Sequence, residues 1–325
     1  MDPKITASEI SDVLGISLQA VHKRLKINDL NFTKSQNRVY FGHDTAKKLL
    51  GITFTPKVIC VQIVKGGTGK TSLTHSIAIR ASLLGAKVLC IDLDQQGNLT
   101  QAFRHNADET PVMIDLIKNN SPIENGIVNL LPGIDIIPSR IENAVLDTQL
   151  LLSRSALDRV YNEKLKQIKN SYDIILIDCP PALGSSVTAA ALASDVVIAP
   201  VTPEKFCFSG LKITYQELCT IQSTYNSKID FKIILNKYDS RTTLSHEVLS
   251  TLVKHPTYGE YLYRTYIRSS QEFPNVIAKG ISIFDSLRLS QAKEDTDLLT
   301  QEILGLPSKR EQTIQLGSLE TQEIT

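Results

Sequence analysis

Residues 65–71 are Lys65-Gly66-Gly67-Thr68-Gly69-Lys70-Thr71, and they join a short apolar run to a segment with helical spacing. Glycines in this context let backbone N–H groups close around an anion, and the start of a helix adds a favourable dipole. Lys70 would reach the terminal phosphates of a nucleotide, and the Thr71 hydroxyl would join the ligands of a divalent cation. With Ser72, these residues form a predicted phosphate-binding loop.

Short apolar runs recur on both sides of this loop and alternate with helical segments. Such runs are typical of parallel strands that are covered on both faces. Their order predicts an α/β fold with a doubly wound, mostly parallel sheet. The predicted strands are 58–64, 87–93, 134–138, 174–178, 196–200 and 232–236, and the predicted helices include 72–84, 186–193 and 210–224.

Acidic residues end two of the predicted strands. Asp92 and Asp94 stand at alternate positions, which point to the same face of a strand. The strand 174–178 ends in Asp178, and an apolar strand that delivers one terminal carboxylate suits Mg²⁺, which takes few carboxylates and keeps its waters. Because the carboxyl ends of parallel strands line a ligand crevice, we expect all three carboxylates near the phosphate loop.

The loop departs from the usual pattern. Val64 stands five positions before Gly69, where glycine is usual, and Lys65 adds a second lysine. This arrangement resembles the deviant phosphate loop of the ParA/MinD family of ATPases. The resemblance implies that Lys65 contacts the nucleotide held by the other subunit of an ATP-sandwich homodimer.

The acidic segments resemble the same family. Residues 92–98 resemble its Asp-x-Asp-Pro-Gln-Gly-Asn motif, with Gln95 in place of proline, and the resemblance implies that Asp94 positions the attacking water. Asp178 matches the Walker B aspartate. The implied catalytic residues are therefore Lys65, Lys70 and Asp94, and the implied Mg²⁺ ligands, partly through water, are Thr71, Asp92 and Asp178.

The base of the nucleotide is less strongly indicated. Residues 236–239 are Asn236-Lys237-Tyr238-Asp239, the letters of a GTPase motif that favours guanine. In the ParA family the same strand end supplies a residue to adenine, here Asn236, and the segment around Pro203 resembles the one that closes over base and ribose. The surrounding motifs favour ATP over GTP.

The resemblance covers nearly the whole chain after residue 57, including residues 137–140, 180–184 and 241–245. Residues 267–274 resemble a family segment whose arginine contributes to non-specific DNA binding by the ATP dimer. The corresponding residue is Arg268, with Lys279 and Arg288 as further candidates. A basic side chain is also commonly a solvated surface residue.

Residues 1–50 form a separate predicted unit, a small winged helix-turn-helix domain. Thr6 and Glu9 fit a helix-capping box, Gly15 breaks that helix, and Ser17 can cap the next one. The unit carries eight Lys or Arg against five Asp or Glu, a local positive excess. The residues predicted to contact DNA are Gln19, His22, Lys23 and Arg24 on its second helix. A small protein-docking module is the alternative, since three-helix units serve both purposes.

Composition sets limits on the other classes of protein. The 325 residues contain 42% hydrophobic and 21% charged residues, with 35 basic against 34 acidic side chains, so any contact with DNA must come from local patches. No apolar run approaches the roughly 20 residues that span a bilayer. Five scattered cysteines without ligand-like spacing favour reduced thiols in a cytoplasmic protein.

The chain divides into further predicted segments after residue 50. We expect a linker at 51–56, an ATPase domain at 57–305 and a polar tail at 306–325.

The resemblance to the ParA/MinD family implies a nucleoid-associated ATPase that switches between an ADP or apo form and an ATP-bound, DNA-binding dimer. Such a switch would partition a plasmid or chromosome with a ParB-like partner protein and repress its own operon. The alternative is a nucleotide-responsive transcriptional regulator without partition activity. A membrane-cycling MinD-like ATPase would need a basic amphipathic C-terminal helix, which residues 306–325 lack. An electron carrier would need cluster-ligating cysteines.

Overall fold

The computed structural model of the chain describes residues 1–35 and 37–307. Within this part, a seven-stranded sheet follows a linker without helix or strand at residues 51–56. The sheet has the order β10-β9-β4-β8-β5-β7-β6, and its strands pair in parallel except that β6 is antiparallel to β7. The strands are β4 (Lys57–Val61), β5 (Val88–Asp92), β6 (Val128–Leu131), β7 (Ile134–Ile137), β8 (Ile174–Asp178), β9 (Val196–Val201) and β10 (Asp230–Leu235).

The α/β class and the mostly parallel sheet are confirmed, and one strand was not predicted. β6 forms a hairpin with β7 around Pro132-Gly133, and its side chains are only partly buried or exposed. Gly133 has a φ of 78°, the left-handed region that a tight turn requires. Because β6 is a short edge strand beside its own turn, it lacks the long apolar run that marks the buried strands.

Helices cover both faces of the sheet. The first is α4, which starts at Lys70 and so carries the phosphate loop at its N-terminus. The last helix is capped by the Ser290 hydroxyl and ends at Gly305 in the left-handed conformation. The helices are α4 (Lys70–Leu83), α5 (Asn98–Ala102), α6 (Met113–Lys118), α7 (Leu146–Leu152), α8 (Leu157–Val160), α9 (Asn162–Ile168), α10 (Ser185–Leu192), α11 (Cys207–Tyr225), α12 (Thr243–Lys254), α13 (Glu272–Ala278) and α14 (Gln291–Leu304).

Alternation along the central strand divides the interior into two cores. Val58 and Cys60 of β4 face one core, while Ile59 and Val61 face the other, as expected for successive strand residues. All four side chains are at most 1% exposed. Burial of each such aliphatic residue stabilises the fold by about 1.5–3 kcal/mol. The carboxyl ends of the parallel strands therefore sit on a rigid frame.

The first fifty residues form a compact unit of three helices and three short strands. Its strands pair antiparallel in the order β1-β3-β2. The predicted capping box is confirmed, because Glu9 accepts from the Thr6 backbone N–H at 2.8 Å and the Thr6 hydroxyl accepts from the Glu9 N–H at 3.2 Å. The elements are β1 (Ile5–Thr6), α1 (Ala7–Leu14), α2 (Leu18–Ile27), β2 (Thr33–Ser35), β3 (Arg38–Phe41) and α3 (His43–Leu50).

This N-terminal unit packs against the helix that carries the phosphate loop. Arg80 of α4 is 0% exposed, and it donates to Glu9 of α1 at 2.9 Å and to Asp297 of α14 at 2.7 Å. Burial alone would raise the pKa of Glu9, but the charge of Arg80 lowers it below its ordinary value. Apolar side chains of the unit also join the core that contains Ile59 and Val61. The unit and the larger domain thus share one interior.

All five cysteines are free, and Cys219 alone among them is exposed. Among the described residues, no helix combines the length and apolarity needed to cross a membrane. The predicted polar tail lies outside the described residues, except for Leu306 and Pro307.

Candidate functional site

The loop between β4 and α4 forms a cradle at the carboxyl end of the sheet. Gly67 and Gly69 have φ values of 75° and 88°, which side chains other than glycine rarely tolerate. A Cβ atom on Gly69 would lie 2.4 Å from Asn236 Nδ2, so this position accepts only glycine. Among the described residues the buried Thr68 hydroxyl has no hydrogen-bond partner. The cradle therefore has both the open backbone and an unsatisfied polar group that a phosphate would fit.

Lys70 places its ammonium group across this cradle. Its Nζ donates to the carbonyl oxygens of Ile63 at 3.4 Å and Lys65 at 3.3 Å. Burial lowers the pKa of the Lys70 ammonium, and the carboxylate of Asp178 opposes that shift. A buried cation held by weak, long contacts is available to a stronger anionic ligand.

Lys65 lies at the outer edge of the same loop. Its side chain is 25% exposed and forms an ion pair with Glu204, in the segment after β9. The hydrogen bond from Lys65 lowers the pKa of the Glu204 carboxyl. The two lysines of the loop thus point to different partners, one inside the cradle and one at its rim.

Asp178, at the end of β8, lies beside the loop. It accepts from the Thr71 hydroxyl at 2.7 Å and from the Thr74 hydroxyl at 3.3 Å. Complete burial, together with the charge of its sheet neighbour Asp92, raises the pKa of Asp178 to about 8. A cation held beside Asp178 would offset this electrostatic cost.

Asp92 is held by its own segment. Its Oδ2 accepts from the backbone N–H and the hydroxyl of Thr100, at 2.9 and 2.7 Å, and its Oδ1 accepts from the Asp94 N–H at 3.2 Å. Burial raises the pKa of Asp92 to about 7. Since both oxygens are engaged, Asp92 orients the loop that carries Asp94. Thr100 could not be predicted as a site residue, because a threonine early in a short helix is not distinctive.

Asp94 lies on the wall of a cleft of about 470 Å³ together with Pro180 and Pro181. Its side chain is largely buried, and its Oδ1 accepts from the Gln96 N–H at 3.0 Å. The remaining oxygen can accept a hydrogen bond from a water molecule in the cleft. Asp94 therefore combines one anchored carboxylate oxygen with one that accepts no hydrogen bond from the described residues.

The strand end after β10 holds the phosphate loop from the other side. Asn236 donates through Nδ2 to the Thr68 carbonyl at 2.7 Å, and Lys237 donates through Nζ to the Gly67 carbonyl at 2.7 Å. Pro203, half-buried, follows the neighbouring strand β9. Lys237 is not among the predicted site residues, although it lies in the Asn-Lys-x-Asp segment at 236–239.

The donor set is sparse for a metal site. Among the described residues, no group of three or more His, Cys, Asp and Glu side chains could hold a metal ion. The Thr71 hydroxyl and the Asp178 carboxylate lie together at the loop. Such a pair suits Mg²⁺, which completes its octahedron with waters and phosphate oxygens.

The predicted DNA-contact residues differ in how exposed they are and in what they contact. Gln19, Lys23 and Arg24 are exposed on α2. His22 instead lines a cleft of about 550 Å³ between the N-terminal unit and residues 286–301. Arg268, far along the chain, donates to the buried Asp295 at 2.6 Å and to Glu294 at 3.0 Å. Its positive charge is therefore largely balanced within the protein.

A model of one protein family, described as an AAA domain, matches residues 56–231. The cell division protein PomZ of Myxococcus xanthus is 26% identical over 313 residues, which cover 93% of this chain and 93% of that protein. The sporulation initiation inhibitor protein Soj of Bacillus subtilis is 29% identical over 214 residues, 65% of this chain and 83% of that protein. A solved structure of McdA from Cyanothece in complex with ATP has the same fold, with a TM-score of 0.70 and 21% identity over 79% of this chain and 99% of that one.

Proposed function

Because this chain belongs to the AAA-domain family matched over residues 56–231 and is an ATPase of the ParA type, we propose that it is a DNA-partition switch. It binds ATP with Mg²⁺, dimerises, and in that state binds DNA. Hydrolysis returns it to a form that leaves DNA. This cycle positions a plasmid or a region of a chromosome with the help of a ParB-like partner protein.

The juxtaposition of loop and carboxylate carries this proposal. Lys70 lies across the glycine cradle while Thr71 donates to Asp178 at 2.7 Å. When bound, ATP with Mg²⁺ supplies the phosphoryl group to be transferred to water and the cation that neutralises its oxygens. The backbone N–H groups and Lys70 bind the phosphates, and Thr71 and Asp178 hold the cation. Asp94 orients the attacking water.

Lys65 gives the switch its dependence on a second subunit. It is tied to Glu204 within its own chain and reaches only the rim of the loop. In the proposed dimer Lys65 leaves Glu204 and contacts the nucleotide of the partner subunit. A lone subunit then binds nucleotide but lacks one catalytic cation.

DNA is bound at two surfaces in this proposal. The N-terminal unit acts as a winged helix-turn-helix reader, with Gln19, Lys23 and Arg24 of α2 exposed to an operator. The ATPase domain binds any DNA through surface basic residues, and Arg268 contributes to them only where it exchanges Asp295 and Glu294 for a DNA phosphate. Dimerisation doubles those phosphate contacts and steepens the salt dependence. Operator binding by the reader would repress the protein's own operon, and DNA binding would keep it on the nucleoid in the cytoplasm.

A nucleotide-responsive regulator without partition activity is the second candidate. The ion pair between Arg80 of α4 and Glu9 of α1 favours it, because it joins the reader to the helix that begins in the phosphate loop. In that case nucleotide would tune operator binding, and hydrolysis would not respond to DNA and a partner protein.

Sizing by light scattering separates the two candidates when combined with hydrolysis assays. The chain is measured without nucleotide, with ADP and with ATP, each with and without random-sequence DNA. The partition switch predicts a dimer only with ATP, bound to random DNA, and hydrolysis that rises when partner and DNA are added. An unchanged mass in all conditions would overturn the proposed dimer switch.

A further inference from the structure

The segment after β10 that holds the phosphate loop also carries an acidic side chain. Asn236 and Lys237 are fixed by their hydrogen bonds to the Thr68 and Gly67 carbonyls. Asp239 follows two residues later, and its own backbone is tied down in turn. Its N–H donates to the Ser245 hydroxyl at 3.1 Å, and its carbonyl accepts from the Thr242 hydroxyl at 3.1 Å. The Asp239 backbone is therefore anchored to the start of α12.

Both carboxylate oxygens of Asp239 are occupied by one neighbour. Arg241 donates through Nε to Oδ1 at 2.9 Å and through Nη2 to Oδ2 at 2.8 Å. The Arg241 backbone N–H adds a third hydrogen bond, to Oδ1, at 3.0 Å. These hydrogen bonds from Arg241 lower the pKa of Asp239 to about 2. The carboxylate is ionised and bidentately satisfied.

The donor pattern of Arg241 is the pattern that guanine would offer. Guanine presents two parallel donors on its pairing edge, the ring N1–H and the N2 amino group, and a carboxylate accepts both. A guanidinium presents the same fork of two N–H donors. Adenine has an unprotonated N1 at that place, which accepts instead of donating, so it gains nothing from a carboxylate there.

We propose that Arg241 is a base-selectivity residue, which holds both oxygens of Asp239 and thereby denies guanine its recognition group. This inference rests on the proposed nucleotide site. The residues of the Asn-Lys-x-Asp segment then have two different roles. Asn236 and Lys237 support the phosphate loop, and Asp239 is withdrawn from the base by Arg241. The chain keeps a guanine-type strand end and selects adenine.

The pair lies near the surface, which limits the size of the effect. The Arg241 side chain is 86% exposed and that of Asp239 is 25% exposed. Exposed ion pairs are weak because water and salt screen them, so guanine can displace Arg241 at a small cost. We therefore expect removal of Arg241 to raise the ratio of GTP to ATP affinity by about 1.5-fold to fivefold.

The test is titration of fluorescent ATP and GTP analogues, with Mg²⁺, against the full chain and three variants. Arg241→Ala should raise the GTP-to-ATP affinity ratio, and Asp239→Ala combined with Arg241→Ala should abolish the gain. Arg159→Ala, which removes another exposed arginine, is the matched control and should leave the ratio at the parent value. Thermal unfolding without nucleotide shows that each variant is folded.

Two results would overturn the selectivity role. One is an Arg241→Ala ratio equal to that of Arg159→Ala, and the other is a gain that persists when Asp239 is also removed. Either would leave ATP binding by the parent chain intact. Failure of the parent to bind the ATP analogue would instead contradict the proposed function itself.

Discussion

At the scale of single residues, the two lysines of the phosphate loop differ in what holds them. Lys70 is buried with its ammonium over the loop carbonyls, whereas Lys65 is partly exposed and paired with Glu204. Lys70→Ala should weaken nucleotide binding roughly 10- to 100-fold, because a hydrogen-bonded charge inside the cradle is lost. Lys65→Ala should leave binding within about threefold, since only a surface ion pair is removed.

Fluorescent-nucleotide titration measures both lysine variants, and sizing with ATP measures dimerisation. The Lys65→Ala protein should bind ATP but fail to dimerise or to hydrolyse it. Equal losses of nucleotide affinity in the two variants would contradict the separate roles.

Asp94→Ala should bind ATP normally and hydrolyse it about 10²- to 10⁴-fold more slowly, because a positioned carboxylate is removed without loss of a phosphate contact. The ATP dimer should then persist on DNA. Phosphate release in single turnover measures the rate. Gln95→Ala, an exposed neighbour, is the control. Hydrolysis by Asp94→Ala at the parent rate would exclude Asp94 as the water-positioning residue.

A site residue can be predicted from the sequence when the signals that mark it lie within a few residues of it. Lys70 and Asp178 could be predicted because loop, strand and helix signals agree within a few residues. Thr100 and Glu204 could not, since each acts on a residue that only the folded chain brings close. Arg268 shows the same limit, because the sequence does not show that Asp295 balances its charge.

At the scale of elements, α2 presents two different faces. Gln19 and Lys23, four residues apart, lie on one exposed side, whereas His22 lines the cleft toward residues 286–301. Lys23→Ala should therefore weaken operator binding and lower the slope of log affinity against log salt by about 1. His22→Ala should change that slope much less.

Operator titrations at two or more salt concentrations measure these slopes. Equal effects of Lys23→Ala and His22→Ala would contradict the assignment of the DNA face.

At the scale of elements, the buried strands could be predicted from their apolar runs, and α4 could be predicted from its helical spacing. β6 could not, because a short, partly exposed edge strand has no such run.

At the scale of the whole molecule, Arg80 connects three segments that are distant in sequence. Its loss would leave Glu9 and Asp297 without their shared countercharge. Arg80→Met should therefore lower the free energy of unfolding by about 3–5 kcal/mol. Urea denaturation measures this value, with Arg159→Ala as a surface control that should stay within about 0.5 kcal/mol of the parent.

A double-mutant cycle tests whether Arg80 and Glu9 act as a pair. Glu9→Gln keeps an oxygen for the Thr6 cap but removes the charge. If the pair is real, the double variant should be less destabilised than the sum of the two single variants. Strict additivity would show that Arg80 stabilises the fold without Glu9.

The buried Arg80 also limits recombination between genes that encode proteins of this kind. A recombination event inside residues 51–56 would join a foreign N-terminal unit to this ATPase, and the new unit would have to bring an acid to the place of Glu9. Without that acid the hybrid would bury a partly uncompensated guanidinium. A new N-terminal unit should therefore be inherited together with its own version of α4. The unit of evolutionary transfer is then larger than the visible linker suggests.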